Sequence, residues 1–267
     1  MNISKKTKIA FAFLTMMLMF KTYGQSNNFT VTLDAGHGGK DTGAKYYGNN
    51  EKDLTLAVTL KVGKLLEQTP NINLIYTRKT DEFIELRERA KMANRANSNL
   101  FISIHCNANR SPTGNGSETY VMGMSRANMN LEVSKAENSV IFLEDNYQKA
   151  YKGFDPNNPG TLIGLQIVQE SNLTSSIDLA NRIQNNFSNA ITIKSRGIKQ
   201  EPLWVLDATV MPGVLVEIGF ISNPFDVEIL KSEEGQDNIA KAIANAIISY
   251  KNEYFGDGVA ETSGEKQ

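Results

Sequence analysis

FTVTLDAGHGG at residues 29–39 and NLFISIHCNA at residues 99–108 decide the fold of this chain. Each is a run of β-prone residues closed by a histidine, and His37 and His105 are the chain's only 2 histidines. The second run is nearly all apolar, as expected of a strand buried on both faces of a sheet. Side chains at the C-terminal ends of strands in an α/β fold stand where open sheets place their ligands. Two scarce, metal-capable side chains placed alike suggest one site assembled from distant segments. The alternative is a pair of buried histidines satisfied by backbone groups.

From Phe29 onward strand and helix signals alternate, which predicts an α/β fold. The expected architecture is a twisted, mostly parallel sheet with helices on both faces, in a single domain over residues 26–254. Strands are expected at Phe29–Ala35, Ile72–Thr77, Leu100–His105, Ser117–Met122, around Leu203–Leu206, and at Gly213–Ile218. Helices are expected at Glu51–Gln68, with Leu54, Val58, Val62 and Leu65 on one face and Asn50 as N-cap, and at Glu85–Ala96 and Ser176–Asn189. A last helix, Gln236–Tyr250, carries Ile239, Ile243 and Ile247 at intervals of four. Residues 124–172 are too long for a simple crossover and read as a helical insertion. They hold a helical run from Leu131 to Ala150, a break at FDPNNPG, and a second apolar helix, Leu162–Gln169. The tail, residues 255–267, is expected to be mobile.

With 267 residues and a net charge of −1, the chain can bury a sizeable core but offers no basic footprint for nucleic acid. Lys5, Lys6 and Lys8 precede the apolar run Ile9–Phe20 and the polar stretch TYGQSNN, the layout of a signal peptide over residues 1–25. That run is short for a permanent membrane anchor, and no cysteine follows it to accept a lipid. The expected destination is therefore the periplasm or the cell exterior. Cys106 is the only cysteine, so no intramolecular disulfide can form.

A catalytic zinc site needs three protein ligands and one open position, and two histidines with one carboxylate are a standard set. Glu51 is the best candidate for the third ligand, because it opens the helix following the His37 loop; it reads equally as a first-turn acid favoured by the helix dipole. Glycines in AGHGGKDTGA suit a tight loop whose backbone approaches a ligand. A hydrolase also needs a base, and Glu217 interrupts the otherwise apolar strand VLVEIGF, where a buried acid is costly unless it faces a polar site. Pairing with Arg89 is the structural alternative. Asn107, two residues past His105, is a candidate for substrate binding or for capping the loop. Cys106 points to the other face of the strand and reads as a small core residue.

LDAGHGGKDTGA, NEKDLTL, TRKTDEFIELRERAKMAN, FISIHCNA and MPGVLVEIGFISN occur in this order from residue 33 to residue 223. Together they resemble the zinc-dependent N-acetylmuramoyl-L-alanine amidases of the Amidase 3 type, over Phe29 to about Tyr250. The resemblance implies Zn2+ held by His37, Glu51 and His105, with Glu217 as catalytic acid/base. It implies hydrolysis of the amide between N-acetylmuramic acid and L-alanine of peptidoglycan stem peptides, in cell separation or wall turnover. Arg78 and Arg89 recur in the family pattern, and pairing with Asp81 or Glu85 accounts for them as well as substrate binding does. The insertion resembles that of division-associated members in which a helix blocks the active site until an activator protein relieves it. KAENS matches that helix and makes Glu137 the expected autoinhibitory ligand, with Glu144 as fallback on the same helical face. A zinc exopeptidase acting on free peptides and a non-catalytic wall-binding module are the competing readings.

Overall fold

The computed structural model describes residues 28–123, 131–145, 147–151, 170–190 and 193–256. In chain order the elements are β1 (Phe29–Ala35), the short pair β2 (Lys45–Tyr46) and β3 (Asn49–Asn50), α1 (Glu51–Leu66), β4 (Ile72–Tyr76), α2 (Leu86–Arg95) and β5 (Leu100–Asn107). They continue with β6 (Ser117–Met122), α3 (Leu131–Asn138), α4 (Tyr147–Ala150), α5 (Glu170–Ala190), β7 (Ser195–Glu201), α6 (Trp204–Asp207), β8 (Gly213–Phe220), α7 (Pro224–Lys231) and α8 (Glu233–Phe255). A 3-10 turn, Ser139–Leu143, lies between α3 and α4.

Six strands form one sheet in the order β4-β1-β5-β8-β6-β7. Every pairing is parallel except β6 against β8. All eight positions of β5 and of β8 are buried, which explains their apolar runs: both faces of these central strands are covered. On one face, α1, α5 and α8 pack Val58, Val62, Ile183, Phe187, Ile239, Ile243 and Ile247 against Val31, Ile102, Ile104 and Val216. Each such side chain contributes roughly 1.5–3 kcal/mol on burial. On the other face, Phe101, Tyr120 and Leu215 meet Leu86, Trp204, Ile141 and Tyr151. The chain runs from β1 outward to β4 and then back across to β5. This reversal leaves a crevice at the C-terminal ends of β1 and β5, where both histidines stand.

Four expectations are corrected. The apolar run at Leu203–Leu206 is the buried turn of α6, and the strand lies just before it at Ser195–Glu201. A short apolar run does not distinguish a strand from a buried helical turn, and β7 is a polar edge strand with no apolar signature. Asn50 stands at the N-cap position of α1, but its amide donates to Asp53 and caps nothing. The helical run from Leu131 breaks after Asn138, whose side chain is drawn into bonds with the Pro202 carbonyl and the Trp204 N–H. That break turns Glu144 away from the face that carries Glu137. The proposed leader, the FDPNNPG break, Leu162–Gln169 and the tail beyond Gly256 lie outside the described residues.

Candidate metal centre and catalytic cleft

His37 sits in a loop with φ of 61°, left-handed backbone that costs a non-glycine residue about 1–3 kcal/mol. Its neighbours hold it there. Gly38 and Asp41 exchange backbone hydrogen bonds of 2.8 and 3.1 Å, and Arg89 Nη2 donates to the His37 carbonyl at 2.8 Å. Asp41 Oδ2 lies 2.7 Å from His37 Nδ1, which fixes that nitrogen as the protonated one and leaves Nε2 free to ligate. Arg78 and Arg89 lie beneath this loop. Both donate to the Ala35 carbonyl, Arg78 also to Gly36 O, and Arg89 pairs with Asp34 at 2.7 Å. Neither pairs with Asp81 or Glu85; Asp81 is engaged by Lys52. Both arginines are scaffold.

Glu51 opens α1 but turns toward β5, so its side chain does not serve its own helix N-terminus. Oε1 accepts the Cys106 N–H and Oε2 the Ala44 N–H, each at 2.9 Å. Oε1 also lies 3.0 Å from His37 Nε2 and 3.2 Å from His105 Nδ1. Gly43, with φ of 60°, permits this: a Cβ there would stand 2.6 Å from Glu51 Oε2 and 2.7 Å from His37 Cδ2. Gly36 likewise admits the His105 ring, which a Cβ would meet at 2.5 Å. Cys106 is buried in the opposite core.

From the insertion, Glu137 reaches into the same space. Its Oε2 is 2.9 Å from His105 Nδ1 and 3.7 Å from His37 Nε2. Glu144 is elsewhere: it accepts the Leu86 N–H at the start of α2 and the Tyr151 hydroxyl. Its role is to fasten the insertion to the domain.

The ligand atoms of His37, Glu51, His105 and Glu137 lie within 4.8 Å of one another. Atoms held at zinc distances around a tetrahedral centre would be about 3.3–3.5 Å apart, so the spacing fits one divalent cation. His37 Nε2, His105 Nδ1 and Glu137 Oε2 are buried without hydrogen-bond partners, as metal-directed atoms should be. A carboxylate and two imidazoles suit zinc, and cobalt or manganese also accepts them. Burial alone would lower both imidazoles. The Glu51 charge and the Asp41 hydrogen bond raise His37 to about 10, and Glu137 with Glu51 raises His105 to about 10. Glu51 falls well below the usual carboxylate range, because the two histidines outweigh its burial.

These shifts set the pH behaviour of the metal-free protein. Imidazole pKa values raised above 6.5 give stability that is complete below that value and is lost as pH rises toward about 10. Metal must displace those protons, so zinc binding at pH 7 should release close to two protons, where unperturbed histidines would release about 0.5. Titration calorimetry in buffers of different ionisation enthalpy measures this, and a release near 0.5 would show that the two imidazoles are not raised in the metal-free protein.

Beside the cluster, Glu217 is the register partner of His105 on one side and of Glu118 on the other. It is fully buried, and neither carboxylate oxygen has a hydrogen-bond partner. Burial, then the charges of Glu137, Glu51 and Glu118, push its carboxyl well above the usual range. Arg89, committed to Asp34, does not neutralise it. Asn107 donates to Glu118 at 3.0 Å. It lines a cleft of about 270 Å³ with His37, Glu51 and the α3 residues Val133, Ala136 and Glu137. The sequence reading passed over Asp41 and Glu118. Glu118 offered the same signal as Glu217, an acid inside a strand, and Asp41 stood four residues beyond a candidate ligand.

A buried nitrogen and carboxylate cluster with a lone acid beside it, at the C-terminal edge of an α/β sheet, is the arrangement of a metal-dependent hydrolase. The chain belongs to the N-acetylmuramoyl-L-alanine amidase family, whose model matches residues 31–249. It is 32% identical over 234 residues to the amidase AmiA of Salmonella typhimurium, covering 86% of this chain and 78% of that protein. A solved amidase from Clostridium difficile 630 superposes with a TM-score of 0.65 at 26% identity, covering 85% of this chain and 99% of the other. The CwlD amidase of Clostridioides difficile, solved in complex with the GerS lipoprotein, gives a TM-score of 0.58 at 25% identity over 84% of this chain and 98% of the other. No helix among the described residues is long and apolar enough to cross a membrane.

Proposed function

We propose that the chain is a zinc hydrolase cleaving the amide between the lactyl group of N-acetylmuramic acid and L-alanine of peptidoglycan stem peptides, in cell separation or wall turnover. The observation that carries this reading is Glu217, a fully buried carboxyl with no partner, one strand from His105. A binding module gains nothing from that cost. His37, Glu51 and His105 hold the metal. Zinc, when bound, supplies a Lewis acid for the carbonyl and brings the pKa of water toward about 7. Glu217 takes a proton from the attacking water as the new C–O bond forms. It returns that proton to the alanine nitrogen as the C–N bond breaks.

Glu137 is the autoinhibitory group: its carboxylate would supply a further ligand to the metal while α3 covers the cleft. A partner protein that draws the insertion away activates the enzyme, a reading supported by the CwlD relative solved with a second protein. Residues 1–25 direct export to the periplasm or the exterior, residues 26–254 form the catalytic domain, and residues 124–172 are its regulatory insertion. Purified peptidoglycan tests the function: the zinc-loaded chain should release peptides with a free L-alanine amino terminus, and chelator should abolish release. Cleavage of free peptides lacking muramic acid, with muropeptides left intact, would favour the exopeptidase instead.

A further inference from the structure

Glu118 is a buried carboxylate with three donors around it. Oε2 accepts from the Tyr120 hydroxyl at 2.6 Å and from Asn107 Nδ2 at 3.0 Å, and Oε1 accepts from Arg196 Nε at 2.7 Å. An ionised carboxylate can only accept, so the Asn107 amide must turn its NH2 toward Glu118 and its oxygen away. That oxygen has no hydrogen-bond partner among the described residues, and Asn107 lines the cleft. The register slips between His105 and Asn107, and this irregularity lets the Asn107 side chain reach from β5 across β8 to Glu118 on β6. Glu217 is the register partner of both His105 and Glu118, so the Asn107–Glu118 bond spans the strand that carries it.

We infer that Glu118 is a positioning residue that locks Asn107 as a hydrogen-bond acceptor for the N–H of the scissile amide, orienting the leaving nitrogen toward Glu217. This rests on the amidase reading above. The only donor a secondary amide offers at the bond to be broken is its N–H. Holding that hydrogen on Asn107 Oδ1 turns the nitrogen's developing lone pair toward the proton on Glu217. An ester has no hydrogen there and cannot use the contact, so the pair Glu118 and Asn107 makes the site prefer amides.

The test uses two small substrates on the zinc-loaded full chain: N-acetylmuramoyl-L-alanine and its analogue with L-lactate in ester linkage. Both are run in parallel on a Glu137→Ala background, so that occlusion does not mask the change. In Glu118→Gln the new side-chain amide can donate to Asn107 and flip it, presenting NH2 to the substrate. kcat/KM for the amide should fall about 10- to 100-fold, mostly in kcat, while the ester changes by less than about threefold. Asn107→Ala leaves the contacts of Glu118 with Tyr120 and Arg196 in place and should show the same amide-selective loss. Equal losses on both substrates, or no loss on the amide, would overturn the inference alone. If neither the unaltered chain nor the Glu137→Ala variant releases alanine from the amide, the amidase reading fails and the inference with it.

Discussion

Glutamine in place of Glu217 should lower kcat by about 10²–10⁴-fold, the range for loss of a positioned general acid/base, while zinc content stays the same. Glu217 is not among the four groups whose ligand atoms converge, so the metal does not depend on it. The same variant should be more stable in the metal-free state, and the sign can be worked out. Glu217 has a folded-state pKa well above its ordinary 4.5, so the stability it permits is complete below that value. It is lost as pH rises, because the unfolded chain ionises freely and the folded chain must bury an unpaired charge. Glutamine does not titrate. The gap between variant and parent should therefore widen as pH increases above about 4.5, which thermal melts of the metal-free proteins would measure. A variant that is inactive but has lost its zinc, or that melts lower across this range, would contradict the role given to Glu217.

What was legible beforehand divides along physical lines. β1, β5 and β8 could be read because central strands covered on both faces must be apolar, and an acid or histidine in such a run stands out. His37, His105 and Glu217 were visible for that reason, and Glu51 because it opens the helix after the His37 loop. β7 was hidden by its place at the sheet edge, where SRGIKQE needs no apolar face. Asp41 and Glu118 act through other side chains, and a supporting acid has no signature until the chain is folded around it. Glu144 was misplaced because regular helical spacing was extended past Asn138, where a tertiary contact ends the helix.

Glu137→Ala should raise the basal activity of the full chain about tenfold or more, and Asn138→Ala should raise it by a separate route. Glu137 Oε2 lies 2.9 Å from His105 Nδ1 and lines the cleft, and in the proposed mechanism it stands where substrate and water enter. Its removal clears that position but leaves α3 docked, with Val133, Ala136 and Val140 still lining the cleft. The docking itself is held by Asn138, bonded to Pro202 O at 2.9 Å and to the Trp204 N–H at 2.8 Å, with Ser134 bonded to Glu201 at 2.7 Å. Losing a buried bidentate amide of this kind costs the docked state about 1–3 kcal/mol, or about 5- to 150-fold in the closed-to-open ratio. If activity follows the open fraction, the two effects multiply until the open form dominates, and the double variant should exceed either single one. Such a variant should also respond less to any activator, because only the Ser134–Glu201 bond and the Glu144 bonds to Leu86 and Tyr151 remain to be displaced. Release assays on zinc-loaded proteins with unchanged melting temperature would decide it. Activity that stays at the parental level in both singles and in the double would leave Glu137 a bystander near the metal, and the insertion would need another purpose.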